Sequence, residues 1–591
     1  MGPQPQEQPL KYRWEIPAID PEKRRALREV LGLSRISAQV LLNRGVGTPE
    51  AAGRFLDPAS GTLHDPYLFR DMTRAVERLD RALEAGEPIA VYGDYDVDGI
   101  SGATLLAEFF AGLGHPVRVV IPDRFADGYG LSGDWVERLA ADGVTLIVTT
   151  DNGTTAHAAV ARAVELGVDV IITDHHEVRG ALPPAYALLN PHRPDATYPE
   201  KRLCGVGVAL KLCHGLLVRR GAAQRDQLPP SLLPLLDLVA LGTVADMAPL
   251  TGENRMLVRA GLQLLSRGER PGVAALKEVA GLTGQRIGAG QVGFHLGPRI
   301  NAGGRVADAG EGVTLLTTRD PEVARDMARS LDRANQERRR VEARITEEVV
   351  ERIEAENLGR RNCIVLGSPE WHPGVLGIIA SRVVERYHRP SLLIGIGSGG
   401  VGKGSGRSIP GLHLFDALGR CEDLLLGYGG HMYAAGITLE MGQVEALGQR
   451  LDEVVGRMVK PDAFRLALRL DASARLTEVN RELTGEFERL APFGPGNPEP
   501  LLLLERVVPV RPQVVGNGHL RMTLTRADAS GVRLSAMAFG CGDWYDGAVT
   551  EGKPVDLVGS VSINHWQGRE TLQFRVRDLR PVPGVVSGGM A

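Results

Sequence analysis

Between residues 70 and 250 the chain alternates short, unbroken apolar runs with longer helical patterns. The runs are "PIAVYG", "PVRVVIP", "VTLIVTT" and "VDVII". Among them lie "GATLLAEFFAGLG", "WVERLAADG" and "AHAAVARAVELG", and "GVALKLCHGLLVRR" follows. A strand that is apolar on both faces must be covered on both, and helical crossovers do that for parallel neighbours. The pattern predicts a parallel sheet between two layers of helices. It also predicts where ligands bind, since sheets of this class open a crevice beyond the carboxyl ends of their strands.

Acids stand at those ends. "VYGDYDVDGIS" (91–101) carries Asp94, Asp96 and Asp98 between a strand and a helix. "TTDNG" (149–153) places Asp151 after the next strand, and "TDHHE" (173–177) places Asp174, His175 and His176 after a third. "GTVADMAPL" (242–250) adds Asp246 in a loop after an apolar helix. Any one of these alone reads as a helix N-cap or a structural histidine. Together they bring carboxylate and imidazole to one edge of one sheet. Converging carboxylates repel, which raises their pKa values and destabilises the fold unless a cation compensates. Mixed Asp and His ligands favour Mn²⁺ over Ca²⁺, with Mg²⁺ also acceptable. The carboxylates are too many for one ion, which points to a pair roughly 3.5–4 Å apart with shared ligands.

The rest of the 591 residues divides by pattern. Residues 1–70 read as an N-terminal extension and 71–320 as the parallel-sheet lobe. Residues 321–357 form one helix without glycine, long enough at about 1.5 Å per residue to join two lobes. Residues 358–462 form a second α/β unit, and 463–585 a run of short strands typical of a small barrel, an OB-fold first of all. The net charge of −4 shows no global basic signature, so any nucleic-acid surface must be local. Five scattered cysteines without C-x-x-C spacing fit a reducing compartment rather than a disulfide framework or zinc site. The start "MGPQPQEQPLKYRWEI" has no secretory apolar run, and "SLLPLLDLVALGTVADM" is broken by Pro234 and Asp237. The expectation is a soluble cytoplasmic protein without a membrane partner.

In order along the chain, "GDYDVDG", "TTDNG", "ITDHHE" and "GTVADMAPL" resemble motifs I to IV of the DHH phosphoesterase superfamily. "IPDRFADGYGLS", "GPRINAGGR" and "EWHPGVLGIIASR" are similar to segments of its bacterial single-strand-specific 5′→3′ exonucleases. "GKGSGRSIPG" and "GYGGHMYAAG" resemble the DHHA1 domain that follows the DHH core. The resemblance covers about residues 70–460. It implies two lobes around a cleft, two Mn²⁺ or Mg²⁺ ions, and release of 5′-mononucleotides from single-stranded DNA in recombination and repair. It assigns metal-ligand positions to Asp96, Asp98, Asp151, His175 and Asp246. It makes His176 a proton donor facing the substrate phosphate and Asp174 the group that orients a neighbouring imidazole. Asp94 is left outside the set, because the paired acids are spaced from a small residue on the next helix, here Gly102, where a serine commonly stands. The role also implies a helicase and a single-strand-binding protein as partners, and a chain with its own two-lobed cleft can work as a monomer.

Guanidinium groups and glycine-rich backbone suit phosphate oxygens. The candidates are Arg124, Arg299, Asn301 and Arg305, then Ser405 and Arg407 in "GSGRS", with His431 in "GYGGHMYAAG" near the scissile bond. For each arginine singly, a surface charge is the alternative reading. Arg124, Arg305, Ser405 and Arg407 are expected to form a pocket for a terminal 5′-phosphate. Trp371, His372, Trp544, Tyr545 and Trp566 are either cleft and stacking surfaces or core. Two other enzymes share the motifs: a family II pyrophosphatase, and an oligoribonuclease or cyclic-dinucleotide phosphodiesterase. Neither needs the barrel. A non-catalytic replication scaffold would have lost acids that are all present here.

Overall fold

The computed structural model describes residues 12–57, 63–124, 127–178, 180–306, 310–397, 399–526, 531–547, 549–566 and 569–582. The chain forms two units, one spanning residues 62–464 and the other joining residues up to 61 with those from 465 onward.

The larger unit begins with five parallel strands: β1 (Ile89–Gly93), β2 (Arg118–Val120), β3 (Leu146–Thr150), β4 (Asp169–Thr173) and β5 (Ala187–Leu189). Their order across the sheet is β2-β1-β3-β4-β5. β1 and β3 are buried along their whole length, as unbroken apolar runs require. One face packs on the helices α1 (Val97–Gly112), α2 (Gly205–Arg219) and α3 (Leu236–Ala245), and Ile100, Val206, Leu238 and Val239 join β-strand residues Val91 and Val148 in one core. The other face packs on helices carrying Val136, Leu139 and Val160.

A further helix, α4 (Gly297–Val306), follows a π-helical turn at Val292–Leu296. Then comes the long α5 (Pro321–Ala355), started by Asp320, which accepts a hydrogen bond from the Glu322 N–H, with Pro321 in the first turn. Its 35 residues extend about 50 Å. Ala324, Ala328 and Leu331 pack into the first core, and Ile345, Val349 and Ile353 into that of the next lobe. Between these patches the buried face turns polar: Arg338 donates to Asn335 (3.0 Å) and Glu342 (2.9 Å).

The next lobe is a mixed sheet of β6 (Ile364–Ser368), β7 (Ser391–Ile396), β8 (Val401–Arg407), β9 (Gly427–Gly430) and β10 (Ala434–Glu440), ordered β9-β10-β8-β7-β6. Only β6 and β7 are parallel. The helix α6 (Pro373–Tyr387) packs on β7 and β8.

In the smaller unit β11 (Leu502–Val515), β12 (His519–Thr525), β13 (Leu534–Ala538), β14 (Val555–Trp566) and β15 (Arg569–Pro581) run β11-β12-β13-β15-β14, and β14 pairs back with β11 to close a five-stranded barrel. This is the barrel predicted from the short-strand period. The N-terminal residues, read from sequence as an extension, share its core: Leu27, Val40 and Leu41 cluster with Leu490, Leu504 and Phe574. A buried pair fastens them, with Arg44 donating to Asp471 at 2.7 Å and Asn43 donating to the Asp471 carbonyl at 2.9 Å. Trp14 donates to Asp578 at 2.7 Å. Among the described residues no helix is long and apolar enough to cross a membrane.

Candidate active site

Each acidic motif folds locally into a turn that fixes its carboxylate. Asp96 caps α1, its Oδ1 accepting from the Asp98 and Gly99 N–H groups at 2.8 and 3.1 Å. Asp98, one step into the helix, is buried and accepts from the Gly205 and Val206 N–H groups at 2.6 and 3.0 Å, the first turn of α2. Asp151 leaves β3 with φ 64°, left-handed backbone that Asp tolerates better than most residues. Thr149 Oγ1 donating to the Asn152 carbonyl (2.7 Å) and Asn152 Nδ2 donating to the Thr150 carbonyl (3.0 Å) hold that turn. Helix α2 can approach only because residue 205 is glycine, since a Cβ there would lie 2.5 Å from the Asp151 Cβ. Gly102 has a similar reason: a Cβ on it would run into the Thr150 hydroxyl, so the serine common at that place has no room here.

The four motifs converge. His175 Nε2 lies 3.0 Å from Asp151 Oδ1, 3.8 Å from Asp98 Oδ2 and 3.9 Å from Asp246 Oδ2. Asp98, His175 and Asp246 can direct ligand atoms at one point, as can Asp94, Asp96 and Asp151, and Asp151, His175 and His176. Asp174 is set apart by saturation. Its Oδ1 accepts from the His175 N–H (2.7 Å), the His176 N–H (3.2 Å) and His176 Nδ1 (2.8 Å), while Oδ2 accepts from the Thr154 N–H (2.9 Å).

The electrostatics follow this geometry. Burial, and then the charge of Asp96, push Asp98 up to about 7 and Asp94 up to about 8. Burial and the charge of Asp98 push Asp246 up to about 8, and Asp151 is raised well above the carboxylate range by burial and its acidic neighbours. Burial lowers His175 to about 4, leaving a neutral imidazole, the form that ligates metals. For His176 burial disfavours the charge, but the hydrogen bond to Asp174 and that residue's charge outweigh it and raise it to about 9. Asp174 is also buried, yet the hydrogen bond and charge of His176 hold it well below the usual range. One carboxylate thus serves an imidazolium, while Asp94, Asp98, Asp151 and Asp246 crowd together with burial and mutual repulsion outweighing the charges of His176 and Arg124. The buried Oδ1 of Asp94 accepts no hydrogen bond in the described protein. Such a donor set, oxygen-rich with one neutral imidazole, fits hard or intermediate divalent cations.

A cleft of about 370 Å³ opens over the cluster. Its lining includes Tyr95, Arg124, Tyr129 and His176 together with Ala245, Asp246, Asn301 and Gly304. Arg124 lies over the Tyr95 ring, 5.0 Å from its centre. Asn301 Oδ1 accepts from the Val97 N–H (3.0 Å), tying α4 to the start of α1. Arg407 and Ser405 stand on β8, with Arg407 Nη1 donating to Ser405 Oγ (3.1 Å) and the Gly406 carbonyl (2.8 Å). The guanidinium lies against the first turns of α6, where a Cβ on Gly377 would fall 2.7 Å from Arg407 Nη2. His431 is exposed on the turn between β9 and β10.

Several readings from sequence change. Arg299, expected to bind substrate, is buried and donates to Asp332 (2.9 Å), the His295 carbonyl (2.7 Å) and the Val279 carbonyl (3.3 Å). Its role is to brace α4 against α5. Trp371 is core, its Nε1 donating to Glu348 at 2.9 Å. Trp544 packs partly buried against the barrel core, and Tyr545 is exposed. The side chains of Arg305 and Trp566 lie outside the described residues. The fold adds two contacts, one at Asp94, which the sequence reading names among the strand-end acids but leaves outside the ligand set, and one at Tyr129, which it does not single out. Asp94 groups with Asp96 and Asp151. The Tyr129 hydroxyl reaches the His176 ring nitrogens at 3.1 and 3.2 Å. The signal for Tyr129 was its place between two glycines in "DGYGL", both with positive φ.

Comparison with known proteins agrees with this arrangement. The chain matches the DHH family N-terminal domain over residues 88–243, the DHHA1 domain over 360–457 and the RecJ OB domain over 470–578. It is 38% identical to the single-stranded-DNA-specific exonuclease RecJ of Bacillus subtilis, covering 96% of this chain and 71% of that protein. It is 39% identical to its namesake in Salmonella typhimurium, covering 86% and 90%. The crystal structure of RecJ in complex with Mn²⁺ from Thermus thermophilus superposes with a TM-score of 0.82 at 32% identity, covering 98% of this chain and 81% of that one. A second crystal structure of that Thermus thermophilus protein holds Mg²⁺. With parallel-sheet lobe, long helix, second lobe and barrel matched in order over nearly the whole length, the chain belongs to the RecJ family.

Proposed function

We propose that the protein is a single-stranded-DNA-specific 5′→3′ exonuclease of DNA recombination and repair that releases 5′-mononucleotides with two divalent cations, Mn²⁺ preferred and Mg²⁺ accepted. The observation that carries this reading is the approach of Asp98, Asp151 and Asp246 to within 3.0–3.9 Å of one neutral imidazole nitrogen. Asp96, Asp98, Asp151, His175 and Asp246 would hold the ions, and Asp94 lies close enough to join them. When bound, the cations would neutralise the phosphate's non-bridging oxygens and make a water more acidic.

The remaining work falls to the chain. Asp174 keeps His176 protonated near neutral pH and holds its Nδ1, and Nε2, 3.2 Å from the Tyr129 hydroxyl, would turn its proton to the departing 3′-oxygen. Arg407, Ser405 and Arg124, with Arg305, make the anion pocket that seats the terminal 5′-phosphate. Arg407 supports this, because its half-buried guanidinium lies beside Gly377 of α6 with no carboxylate among its described hydrogen-bond partners. Asn301 and His431 contact backbone phosphate. Cytoplasmic location, monomeric action and dependence on a helicase and single-strand-binding protein complete the reading. The barrel weighs against the oligoribonuclease and cyclic-dinucleotide alternative, and the complete set of acids against a scaffold.

The test uses Mn²⁺ with single-stranded and blunt duplex DNA carrying a 5′ or 3′ label. The expected product from the 5′-labelled single strand is mononucleotide from the earliest times, with progressive shortening of the 3′-labelled strand. Internal cuts, or release of the 3′ label first, would overturn the proposal.

A further inference from the structure

Among the described residues the two most exposed large apolar side chains are Phe294 (74%) and Met247 (69%). Both belong to elements joined to the cleft wall. Met247 follows Asp246 directly, and Phe294 lies in the π-helical turn that packs against α3 and leads into α4. The join is close, since a Cβ on Gly297 would lie 3.5 Å from that of Ala245, a lining residue of the cleft.

Neither backbone is ordinary. The Met247 N–H bonds to the Val244 carbonyl and the Ala248 N–H to the Thr243 carbonyl, both at 3.2 Å, which closes α3 with residue 247 at φ 60°. Glycine is the usual residue in such a helix-ending, left-handed position, because a side chain there is strained. A π-turn is a rare insertion frequent at functional sites. The chain therefore keeps a methionine where glycine is easier, and presents a phenylalanine to water where burial would stabilise the fold.

We infer that Met247 and Phe294 form an apolar shelf on the Asp246 side of the cleft, on which bases of a single strand stack as its backbone passes the acidic cluster. This rests on the proposed nuclease function. Unpaired bases expose apolar faces of every sequence, and aromatic stacking holds them without reading them, as an exonuclease of general sequence requires. Met247 is next in the chain to the cleft-lining Asp246, and the turn that carries Phe294 packs against the helix that ends at the cleft-lining Ala245.

The test compares wild type with Phe294→Ala, Met247→Ala, the double variant and Phe294→Trp. Equilibrium binding is measured without divalent cation to a single strand and to an abasic strand of equal length, and cleavage follows with Mn²⁺. Phe294→Ala should weaken binding to the normal strand on the order of ten-fold. Met247→Ala should weaken it less, the double variant most, and Phe294→Trp should restore it. Binding to the abasic strand should be equal in all. Because both side chains are exposed, melting temperatures should match wild type. Unchanged binding in the double variant, or equal loss on normal and abasic strands, would overturn the shelf. Failure of the wild type to cut single strands would instead overturn the nuclease reading, so the two failures are distinct.

Discussion

The two sheets of the larger unit handle charge in opposite ways. The first is wholly parallel, and its strands end together, so the turns after β1, β3 and β4 deliver Asp94, Asp96, Asp98, Asp151 and the two histidines to one edge. The second is mixed, and Arg407 ends β8, where Gly402, Gly404 and Gly406 let Ile394, Ile437 and Leu392 pack tightly on the other face of the strand. The first sheet concentrates carboxylates whose mutual repulsion a proton or a metal cation relieves. The second holds a guanidinium among small residues, where burial lowers its pKa and no carboxylate among its described hydrogen-bond partners neutralises it. One is built to need cations and the other to need an anion, and a phosphate ester with bound divalent metal satisfies both.

Breaking the first sheet should have the larger effect. Asp151→Ala removes the carboxylate that two of the three ligand groups share, and hydrolysis should fall by at least about a thousand-fold while strand binding changes little. Turnover and equilibrium binding of a labelled single strand check this, and a variant that still hydrolyses at the wild-type rate would separate the cluster from the chemistry. Breaking the second sheet should act selectively. Arg407→Ala should lower cleavage of 5′-phosphorylated ends about ten- to a hundred-fold and leave 5′-hydroxyl ends near wild type. Competition between the two ends measures it, and equal loss on both would remove Arg407 from the terminal-phosphate pocket.

The smallest effect is on stability, and its sign distinguishes the two sheets. Asp98, Asp94 and Asp246 have folded pKa values raised to about 7, 8 and 8, so the folded state holds protons that the unfolded state has released above about pH 4. His176, raised to about 9, adds to this above its ordinary 6.5, whereas His175, lowered to about 4, acts the opposite way only below 6.5. Between pH 6.5 and 8 these shifts all point one way, and the metal-free protein should lose stability as pH rises. Melting curves in chelator should show the decline and Mn²⁺ should reverse it. A metal-free melting temperature that rises across this window would contradict the crowding of carboxylates.

Much of this was legible because strand-end chemistry is local. Each of "GDYDVDG", "TTDNG" and "TDHHE" states its own strand, turn and acid, and a parallel sheet adds the convergence. The barrel was readable from its short strand period. What could not be read depends on packing between distant segments. Arg299 looked like a phosphate ligand in "GPRINAGGR", but Asp332, 33 residues on, takes its charge once α4 and α5 pack. Asp94 resembled its neighbours at alternate positions, and only the fold shows that its carboxylate faces Asp96 and Asp151. The N-terminal helices carry clear starts at Asp20, Ser34 and Thr48, yet nothing local says that Leu27 and Leu41 complete a barrel core more than 400 residues away. Tyr129 reaches His176 across 47 residues by the same kind of closure.

The central claim is that the acids at the first sheet's edge gather because cations belong there. Crystals soaked in manganese, with diffraction collected at its absorption edge, test it most directly. The account predicts anomalous peaks beside Asp98, His175 and Asp246 and beside Asp96 and Asp151, the second lost in crystals of Asp151→Ala. A map from fully soaked wild-type crystals with no peak at these side chains would contradict it.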